Sequence, residues 1–494
     1  GRLAANNYAT NIGILIGSGL LYLFYAIGMG PNQIFVVIGV LTLAGTAAAM
    51  AMLPQAFVKL INLLLTKLVY RIRTHGVDRI PEEGAALLVA NHVSFVDALL
   101  VLAVSPRPVR FVVYKEIYEK WWLRWLLGVM GCIPISARHS QRELIRSLRA
   151  AGRALAEGEL VCIFAEGQIS RTGMILPYRR GYQTILKEAP APVVPIYLHG
   201  AGGSIFSYEG GKFFWKRPRR IPYPVRIVVG KPQAPGVSPS QLRQRIQELG
   251  AEAAKQSKAD EAPLQRRLIQ TGRRHWFRFA MIDTMSPEMN WGQVLWRTVI
   301  LSRRLRWAWR GQEVVGVMLP PSVGASLVNY GAAMTGRTVV NLNYTAGQEI
   351  INDCAARAGV RTVVTSRTFL ERTGLEAPAE PIYAEDHRGY RGLGEVFGAM
   401  LMARLAPAGL LERYCGRMRV TGPDTLASII FSSGSTGQPK GVMLSHFNIG
   451  ANVESFRQGI HVWRHDRLLG TLPLFHSFGY TVALWAPAIF PFGV

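Results

Sequence analysis

Two long apolar runs open the chain, at residues 12–29 and 34–53, and no charged residue lies between Arg2 and Lys59. Each run approaches the roughly 20 residues that cross a bilayer as a helix. Basic residues follow the second run, so the positive-inside rule places the rest of the chain in the cytoplasm. We predict that residues 1–54 form a transmembrane hairpin; the alternative is a buried hairpin in a soluble core.

The next segment, residues 55–73, repeats apolar side chains at helical spacing. They are Phe57, Leu60, Ile61, Leu64, Leu65 and Leu68. Basic residues gather toward its end, at Lys67, Arg71 and Arg73. This pattern predicts an amphipathic helix on the membrane interface. The alternative is a linker helix packed on the following domain.

Residues 74–250 alternate short apolar runs with helical patterns. The runs lie at 86–90, 110–113, 160–164, 193–198 and 225–229. This alternation predicts an α/β domain with a largely parallel sheet and helices on its faces. In such a domain the reactive side chains are expected just beyond the carboxyl ends of strands.

Chemistry-bearing residues follow the first of these runs. Asn91 and His92 come directly after it, and Asp97 lies a little over one helical turn further on. His92 can act as a base near neutral pH, and Asp97 can fix its tautomer and stabilise the imidazolium. Ser94 is the predicted N-cap of the helix that carries Asp97. The alternative for His92 is a histidine without a catalytic role in a loop at a strand end. The alternative for Glu166, in a later motif, is a carboxylate that stabilises the start of a helix through the helix dipole.

A second element, Phe164-Ala165-Glu166-Gly167-Gln168-Ile169-Ser170-Arg171, follows the run at 160–164. Together with Asn91-His92-x₄-Asp97 it resembles the glycerophospholipid acyltransferase family. The resemblance implies a catalytic role for His92 and Asp97 and a substrate site at the residues Asn91, Glu166, Gly167, Ser170 and Arg171. Val194-Pro195-Ile196 matches the family's acyl-binding block, and Gly131 to Ile135 matches another block, after which Arg138 stands one place late.

Four arginines, Arg142, Arg146, Arg149 and Arg153, fall on one helical face of residues 141–156. They form either a solvated face or a landing surface for anionic lipid or an acidic acyl carrier.

A connecting segment is predicted at residues 251–275 and a second domain at 276–494. Its signature is the glycine- and hydroxyl-rich loop at 432–441, whose backbone N–H groups can cradle phosphates. The loop and the block at 472–479 resemble the adenylate-forming acyl-CoA synthetase superfamily. The resemblance implies use of ATP and Mg²⁺ and an ATP site at Ser432, Ser433, Gly434, Ser435, Thr436, Gly437, Lys440 and His476.

Net charge, apolar content and cysteine usage indicate which partners and which cellular compartment to expect. The 56 Lys and Arg exceed the 31 Asp and Glu, giving a net charge of +25, which favours anionic partners such as a lipid surface. With 49% apolar residues and no zinc-finger or RNA-binding signature, nucleic acid is not an expected partner. The four scattered cysteines predict buried free thiols and a reducing compartment.

As a whole the chain resembles the bacterial bifunctional 2-acylglycerophosphoethanolamine acyltransferase/acyl-[acyl-carrier-protein] synthetases, some of which follow a lysophospholipid transporter. The resemblance implies an inner-membrane enzyme with cytoplasmic catalytic domains. The enzyme would transfer acyl groups from thioesters of acyl carrier protein or coenzyme A to a lysophospholipid. No metal ion or cofactor is expected in this transfer. The later synthetase blocks do not occur before Val494, so the synthetase is expected to be partial. The alternatives are 1-acylglycerol-3-phosphate acylation and a transporter with a regulatory cytoplasmic part.

Overall fold

The computed structural model describes residues 2–136, 141–202, 204, 206–208, 221–387, 389, 392–432, 439–460, 462, 463 and 465–494. These residues form two compact units. The first holds most of the chain up to Gly250, and the second holds Ala251–Val494 together with the short segment Ser170–Met174.

Three helices begin the first unit: α1 (Arg2–Ala26), α2 (Pro31–Met52) and α3 (Pro54–Val69). Two membrane spans were predicted here. Among the described residues one helix, α2, is long and apolar enough to cross a membrane, while the apolar stretch Ile14–Ala26 of α1 is shorter.

The predicted helix at 55–73 ends earlier than expected. Helix α3 stops at Val69, and the next six residues form strand β1 (Tyr70–His75). Arg71 and Arg73 therefore lie in a strand that pairs with residues 223–228, and not at the end of the helix. Backbone pairing overrides the helical pattern here, and Lys67 remains as the basic residue of the last helical turn.

A seven-stranded sheet forms the centre of the first unit. After β1 come β2 (Ala86–Ala90), β3 (Val109–Tyr114), β4 (Ile133–Ile135), β5 (Leu160–Ile163), β6 (Val193–His199) and β7 (Tyr223–Val229). Their order is β1-β7-β6-β2-β5-β3-β4, and neighbours are parallel except at β6–β7. The predicted largely parallel α/β sheet is confirmed.

Both faces of this sheet are covered. On β2, Leu88 and Ala90 belong to one buried cluster, and Leu87 and Val89 belong to the other. A strand buried on both faces reads as one continuous apolar run, which explains the sequence pattern at 86–90. The helices of this unit that follow α3 are α4 (Asp97–Val104), α5 (Lys115–Tyr118), α6 (Trp121–Val129), α7 (Gln141–Ala156), α8 (Gly181–Glu188) and α9 (Pro239–Ser257), with a short 3₁₀ turn at Val77–Arg79.

The second unit contains a hairpin and a six-stranded sheet. The hairpin is β8 (Phe279–Asp283) and β9 (Ser286–Asn290), and the sheet strands are β10 (Val314–Val317), β11 (Thr338–Asn341), β12 (Thr362–Thr365), β13 (Glu380–Tyr383), β14 (Leu426–Ser432) and β15 (Lys440–Ser445). The order is β13-β12-β10-β11-β14-β15, parallel except at β14–β15. Its helices are α10 (Leu264–Arg274), α11 (Trp291–Ala308), α12 (Val323–Met334), α13 (Gln348–Arg357), α14 (Arg367–Thr373), α15 (Leu393–Leu405), α16 (Ala408–Tyr414), α17 (His446–Gly459) and α18 (Ala486–Ile489), with 3₁₀ turns at Lys258–Asp260 and Ala384–His387 and a π-helix at Gly479–Trp485.

The segment 251–275 is not the simple connection that its polar composition predicted. Helix α10 packs Leu264, Leu268 and Ile269 into the core of the second unit, each almost fully buried. Leu264 and Leu268 lie four residues apart and Ile269 follows directly, so they share one helical face that is enough to anchor the helix. All four cysteines are free and buried, as predicted.

Candidate active site

The loop after β2 begins with Asn91, whose side-chain amide makes the hydrogen bonds that a backbone amide would make in a strand. The Oδ1 atom of Asn91 accepts the Leu198 N–H at 2.7 Å, and its Nδ2 group donates to the Leu198 carbonyl at 3.2 Å. This pairing continues the ladder between β2 and β6 by one residue. Asn91 is buried and fully engaged in it. Its side chain therefore has a structural role at the strand end, and its contact with substrate stays a prediction.

His92 and Asp97 face each other directly. The Nδ1 atom of His92 lies 2.8 Å from Oδ2 of Asp97, whose carboxylate is fully buried. The same Oδ2 accepts the backbone N–H groups of Val93 at 2.7 Å and Ser94 at 2.8 Å. Asp97 thus fixes both the ring and the loop that carries it.

The helix start differs from the prediction. Helix α4 begins at Asp97 with Val96 at the N-cap position, and no side chain caps it. Ser94 contributes its backbone N–H to Asp97, and its hydroxyl accepts the Val96 N–H at a long 3.4 Å. Because Val96, and not Ser94, occupies the N-cap position and no side chain caps the helix, the predicted Ser94 cap is wrong.

The electrostatics of the pair favour one tautomer. Burial raises the pKa of the Asp97 carboxyl, and the hydrogen bond and charge of His92, together with the Ser94 and Val93 amides, oppose that rise. A proton on Nδ1 of His92 satisfies the carboxylate, which leaves the lone pair on Nε2. The imidazole is one-fifth exposed, so Nε2 is the atom available to accept a proton from a ligand.

Glu166 acts on the backbone of the same loop. Its Oε1 accepts the His92 N–H at 2.8 Å, and its Oε2 accepts the Leu176 N–H at 2.8 Å. Burial raises the pKa of Glu166 to about 7, against the two amide hydrogen bonds. A buried carboxylate whose two oxygens both accept amides has little capacity for a phosphate. Glu166 therefore acts as a clamp between the two loops, and its role in the substrate site stays a prediction.

Phe164 completes the support of the His92 ring, and Gly167 adopts a backbone conformation that favours glycine. The ring of Phe164 stacks on the imidazole with centroids 4.2 Å apart and planes at 17°. Gly167 has φ +71°, and an added Cβ would lie 2.9 Å from Nε of Arg179. A side chain there would be strained and would displace the arginine. Sequence reasoning missed the role of Phe164, although the residue opens the motif that pointed to Glu166.

The remaining predicted residues of this motif fall into distinct places. Ser170 is buried, and its hydroxyl donates to the Met174 carbonyl at 2.7 Å and accepts the Gly173 N–H at 3.0 Å, which folds the turn. Arg171 is exposed, and its guanidinium carbon lies 5.3 Å from the ring centroid of Tyr208. Pro195 is buried within β6 opposite Val89.

The arginine face of α7 is present as a shallow cleft. Its lining is Arg142, Ile145, Arg146, Arg149 and Arg153. Arg149 pairs with Glu188 at 3.0 Å. Whether the face is solvated or binds an acidic partner stays a prediction, and Arg138 lies outside the described residues.

In the second unit, the glycine-rich loop joins β14 to β15. Ser432 ends one strand and Lys440 begins the other, and the two residues pair across the antiparallel ladder. The hydroxyl of Ser432 donates to the Lys440 carbonyl at 3.5 Å. Lys440 is exposed, so its ammonium is accessible to an anion beside the loop. Five predicted ATP-binding residues lie outside the described part of the chain: Ser433, Gly434, Ser435, Thr436 and Gly437.

Aromatic contacts join other motif segments of this unit. Tyr344, which follows β11, packs edge-on against Phe475 at 5.0 Å and against Phe369 at 5.1 Å. His476 is exposed next to Phe475, and its Nδ1 accepts the Phe478 N–H at 3.3 Å. Within the described ranges, no group of three or more His, Cys, Asp or Glu side chains is placed to hold a metal ion.

Comparison with known proteins matches part of each unit to a family model. The family model "Acyltransferase" matches residues 71–199, and the model "AMP-binding enzyme" matches residues 270–490. The chain joins an acyltransferase domain to an AMP-binding domain. The His92–Asp97 pair and Glu166 lie within the acyltransferase domain, and Lys440 and His476 lie within the AMP-binding domain.

Individual relatives match one domain each. The acyltransferase domain is 28% identical over 134 residues to the 1-acyl-sn-glycerol-3-phosphate acyltransferase BAT2 of Brassica napus, covering 27% of this chain and 38% of that protein. The AMP-binding domain is 30% identical over 182 residues to 4-coumarate-CoA ligase 1 of Narcissus pseudonarcissus, covering 35% of this chain and 31% of that protein. The chain therefore spans well under half the length of either relative.

Solved structures also show similarity. VinN in complex with L-aspartate has a TM-score of 0.39 at 20% identity and covers 47% of this chain and 61% of its own. The O-succinylbenzoate coenzyme A synthetase of Bacillus subtilis, in complex with AMP, has a TM-score of 0.37 at 19% identity and covers 47% of this chain and 55% of its own.

Proposed function

We propose that the acyltransferase domain moves an acyl group from a thioester of acyl carrier protein or coenzyme A to a hydroxyl of a lysophospholipid. The observation that carries this proposal is the 2.8 Å contact between His92 Nδ1 and the buried carboxylate of Asp97. It leaves one exposed nitrogen beside the carboxyl end of a central strand, where a bound hydroxyl can be deprotonated.

The proposed reaction takes place between the two substrates and this pair. His92 Nε2 takes the proton of the lysolipid hydroxyl as its oxygen attacks the thioester carbonyl. The C–O ester bond forms, the C–S bond breaks, and the imidazolium returns the proton to the leaving thiolate. Asp97 stabilises the imidazolium between these two events. Phe164 holds the ring and Glu166 holds the His92 backbone throughout.

Arg171 is the proposed partner of the lysolipid phosphate. The residue is exposed and follows the Glu166 clamp by five positions. A guanidinium can present a fork of two N–H donors to a phosphate. Asn91, Gly167, Ser170 and Pro195 are the further residues proposed for the substrate site.

The AMP-binding domain is proposed to activate free fatty acid with ATP and Mg²⁺. ATP, when bound, supplies the adenylate leaving group that makes a carboxylate reactive. The loop at 432–440 would hold the phosphates through its backbone N–H groups and Lys440, and His476 would border the acyl site. The exposure of Lys440 and His476 supports this assignment.

A second candidate is acylation of 1-acylglycerol-3-phosphate to phosphatidate. The name of the Brassica napus relative favours it. Both candidates share the His92 base and the phosphate contact, and they differ in the head group. We place either reaction at a bacterial inner membrane with the catalytic domains in the cytoplasm. The apolar helix α2 and the net charge of +25 support a membrane location.

An acyl-transfer assay of the purified full chain tests the proposal. Lysolipids with ethanolamine, glycerol and phosphate head groups are each combined with acyl carrier protein and coenzyme A thioesters. We expect a diacyl product from at least one pair. Preference for the bare phosphate would select the phosphatidate reaction. The absence of product from every pair would refute acyl transfer.

A further inference from the structure

Helix α6 carries three tryptophans that point away from the protein. Trp121 is 85% exposed, Trp122 59% and Trp125 68%. At 100° per residue they share one helical face, roughly opposite Leu127, which packs against the buried cluster of the sheet. Three large aromatic side chains on one surface exceed what a water-facing helix normally carries.

Helix α3 buries polar side chains and exposes apolar ones, the reverse of a surface helix in a soluble protein. Its polar residues Asn62 and Thr66 are buried, while Leu64 is 60% exposed and Leu68 73% exposed. The side chain of Asn62 donates to the Leu99 carbonyl of α4 at 2.9 Å. A helix that places leucines outward and an asparagine inward is matched to an apolar environment outside the protein.

The two faces belong to one region of the first unit. Helix α3 contacts both α6 and α4, and Nε2 of Gln55 near its start donates to the Val129 carbonyl at the end of α6 at 3.1 Å. The apolar helix α2 ends at Met52, directly before α3. Lys120 and Arg124 are exposed beside the tryptophans.

We propose that the tryptophan face of α6 and the outward leucines of α3 form one docking surface for the membrane interface. Tryptophan combines a large apolar ring with one N–H donor and concentrates at the boundary between head groups and acyl chains. Lys120 and Arg124 suit anionic head groups at the same level. Continuity with α2 commits the surface to a bilayer as its occupant.

This surface deepens the proposed function, on which it rests, because it defines the depth of the active site. Helix α4 begins at Asp97 and is held on α3 through Asn62. A lysolipid would then meet His92 without leaving the bilayer surface. The tryptophans act as positioning residues for the whole domain and take no part in the chemistry.

Site-specific labelling tests the surface in the full chain. Cys replaces Trp122 in one variant and Trp307, which is 64% exposed in the second unit, in a matched control. The four native cysteines are buried, and burial raises the pKa of Cys132 to about 11, so an environment-sensitive thiol probe reacts at the new site. Both proteins are reconstituted in vesicles of phosphatidylcholine and phosphatidylglycerol.

We expect nitroxide lipids to quench the probe at position 122 several-fold more than at 307, with a blue-shifted emission at 122 only. Equal quenching by aqueous iodide at both positions, without lipid quenching, would overturn the proposal. Self-quenching between probes at 122 that ignores the lipid quencher would assign the face to a second copy of the chain and would also overturn it.

A transfer assay separates this inference from the proposed function. The triple variant Trp121→Gln, Trp122→Gln, Trp125→Gln should lose rate on vesicle-borne lysolipid and much less on a short-chain lysolipid that is monomeric in water. Trp307→Gln is the control. Equal losses on both substrates would refute a docking role. If the wild-type protein acylates neither, the proposed function fails, while the quenching result still decides the surface.

Discussion

The loop after β2 and the loop after β5 follow adjacent parallel strands, and each contributes one buried carboxylate. Asp97 of the first loop contacts a titratable ring and two amides. Glu166 of the second loop contacts amides alone. Under the proposed function, the same functional group serves chemistry at Asp97 and geometry at Glu166, and the partners of each carboxylate, not the residue type, decide which.

Substitution of Asp97 tests the chemical half of this contrast most strongly. Asp97→Asn removes the charge that stabilises the imidazolium, so transfer should fall by on the order of 10²-fold, the lower part of a general-base contribution. The amide oxygen can still accept the Val93 and Ser94 N–H groups, so the melting temperature should change little. Transfer rates and melting curves of the purified variant provide the measurement.

Asp97→Ala is the matched comparison for that variant. It leaves two backbone N–H groups and the ring without an acceptor, and each buried unsatisfied group costs about 1–3 kcal/mol. The alanine variant should therefore melt well below the asparagine variant. Wild-type transfer by Asp97→Asn would show that the carboxylate only supports the loop, and the contrast with Glu166 would collapse.

Substitution of Arg171 tests whether the loop after β5 also binds the phosphate of the lysolipid. Loss of a charge-assisted contact worth about 2 kcal/mol should lower kcat/KM roughly 30-fold in Arg171→Ala. If phosphate is held equally in the ground and transition states, the loss falls on the KM for lysolipid. Arg171→Lys keeps the charge without the fork and should lose less.

Kinetics with both substrates varied measure this effect, with exposed Arg180 replaced by alanine as the control. A change confined to the KM of the acyl donor would move Arg171 to the thioester side and leave the phosphate without this partner.

Glu166 should have the smallest effect, seen in the pH dependence of stability. Burial raises its pKa from 4.5 to about 7, so the folded protein binds this proton more tightly than the unfolded chain. Its contribution to stability is complete below pH 4.5 and is lost as the pH rises through about 7. Glutamine does not titrate in this range.

The wild type should therefore gain unfolding free energy relative to Glu166→Gln as the pH falls from about 7 to 4.5. Denaturant titrations at several pH values measure the difference. A difference that is independent of pH would show that Glu166 is not titrating in the folded protein.

The sequence was sufficient for five strands of the first unit and for the contact between His92 and Asp97. Runs such as 86–90 and 160–164 are buried on both sides of a sheet and so leave uninterrupted apolar stretches. His92 and Asp97 could be paired because their spacing suits a loop that leads into a helix. The α/β class and the order of the two domains followed from these signals and from the glycine-rich loop.

The supporting contacts were not accessible in the same way. The partners of Glu166 are the amides of His92 and Leu176, and every residue type carries such an amide. The end of α3 at Val69 depends on pairing with β7, far away in the sequence. The burial of α10 depends on a core built from distant elements. Each of these features depends on a backbone or packing contact between residues far apart in the sequence. The local pattern of apolar and polar residues does not encode such a contact.

The central claim is that the first loop performs chemistry that the second loop only supports. Its most direct test measures acyl transfer and melting temperature on the same preparations of wild type, His92→Ala and Glu166→Gln. We predict that His92→Ala melts like wild type and loses about 10²- to 10⁴-fold in transfer, while Glu166→Gln melts lower and keeps more transfer when folded. Wild-type transfer rates in a folded His92→Ala protein would contradict the account.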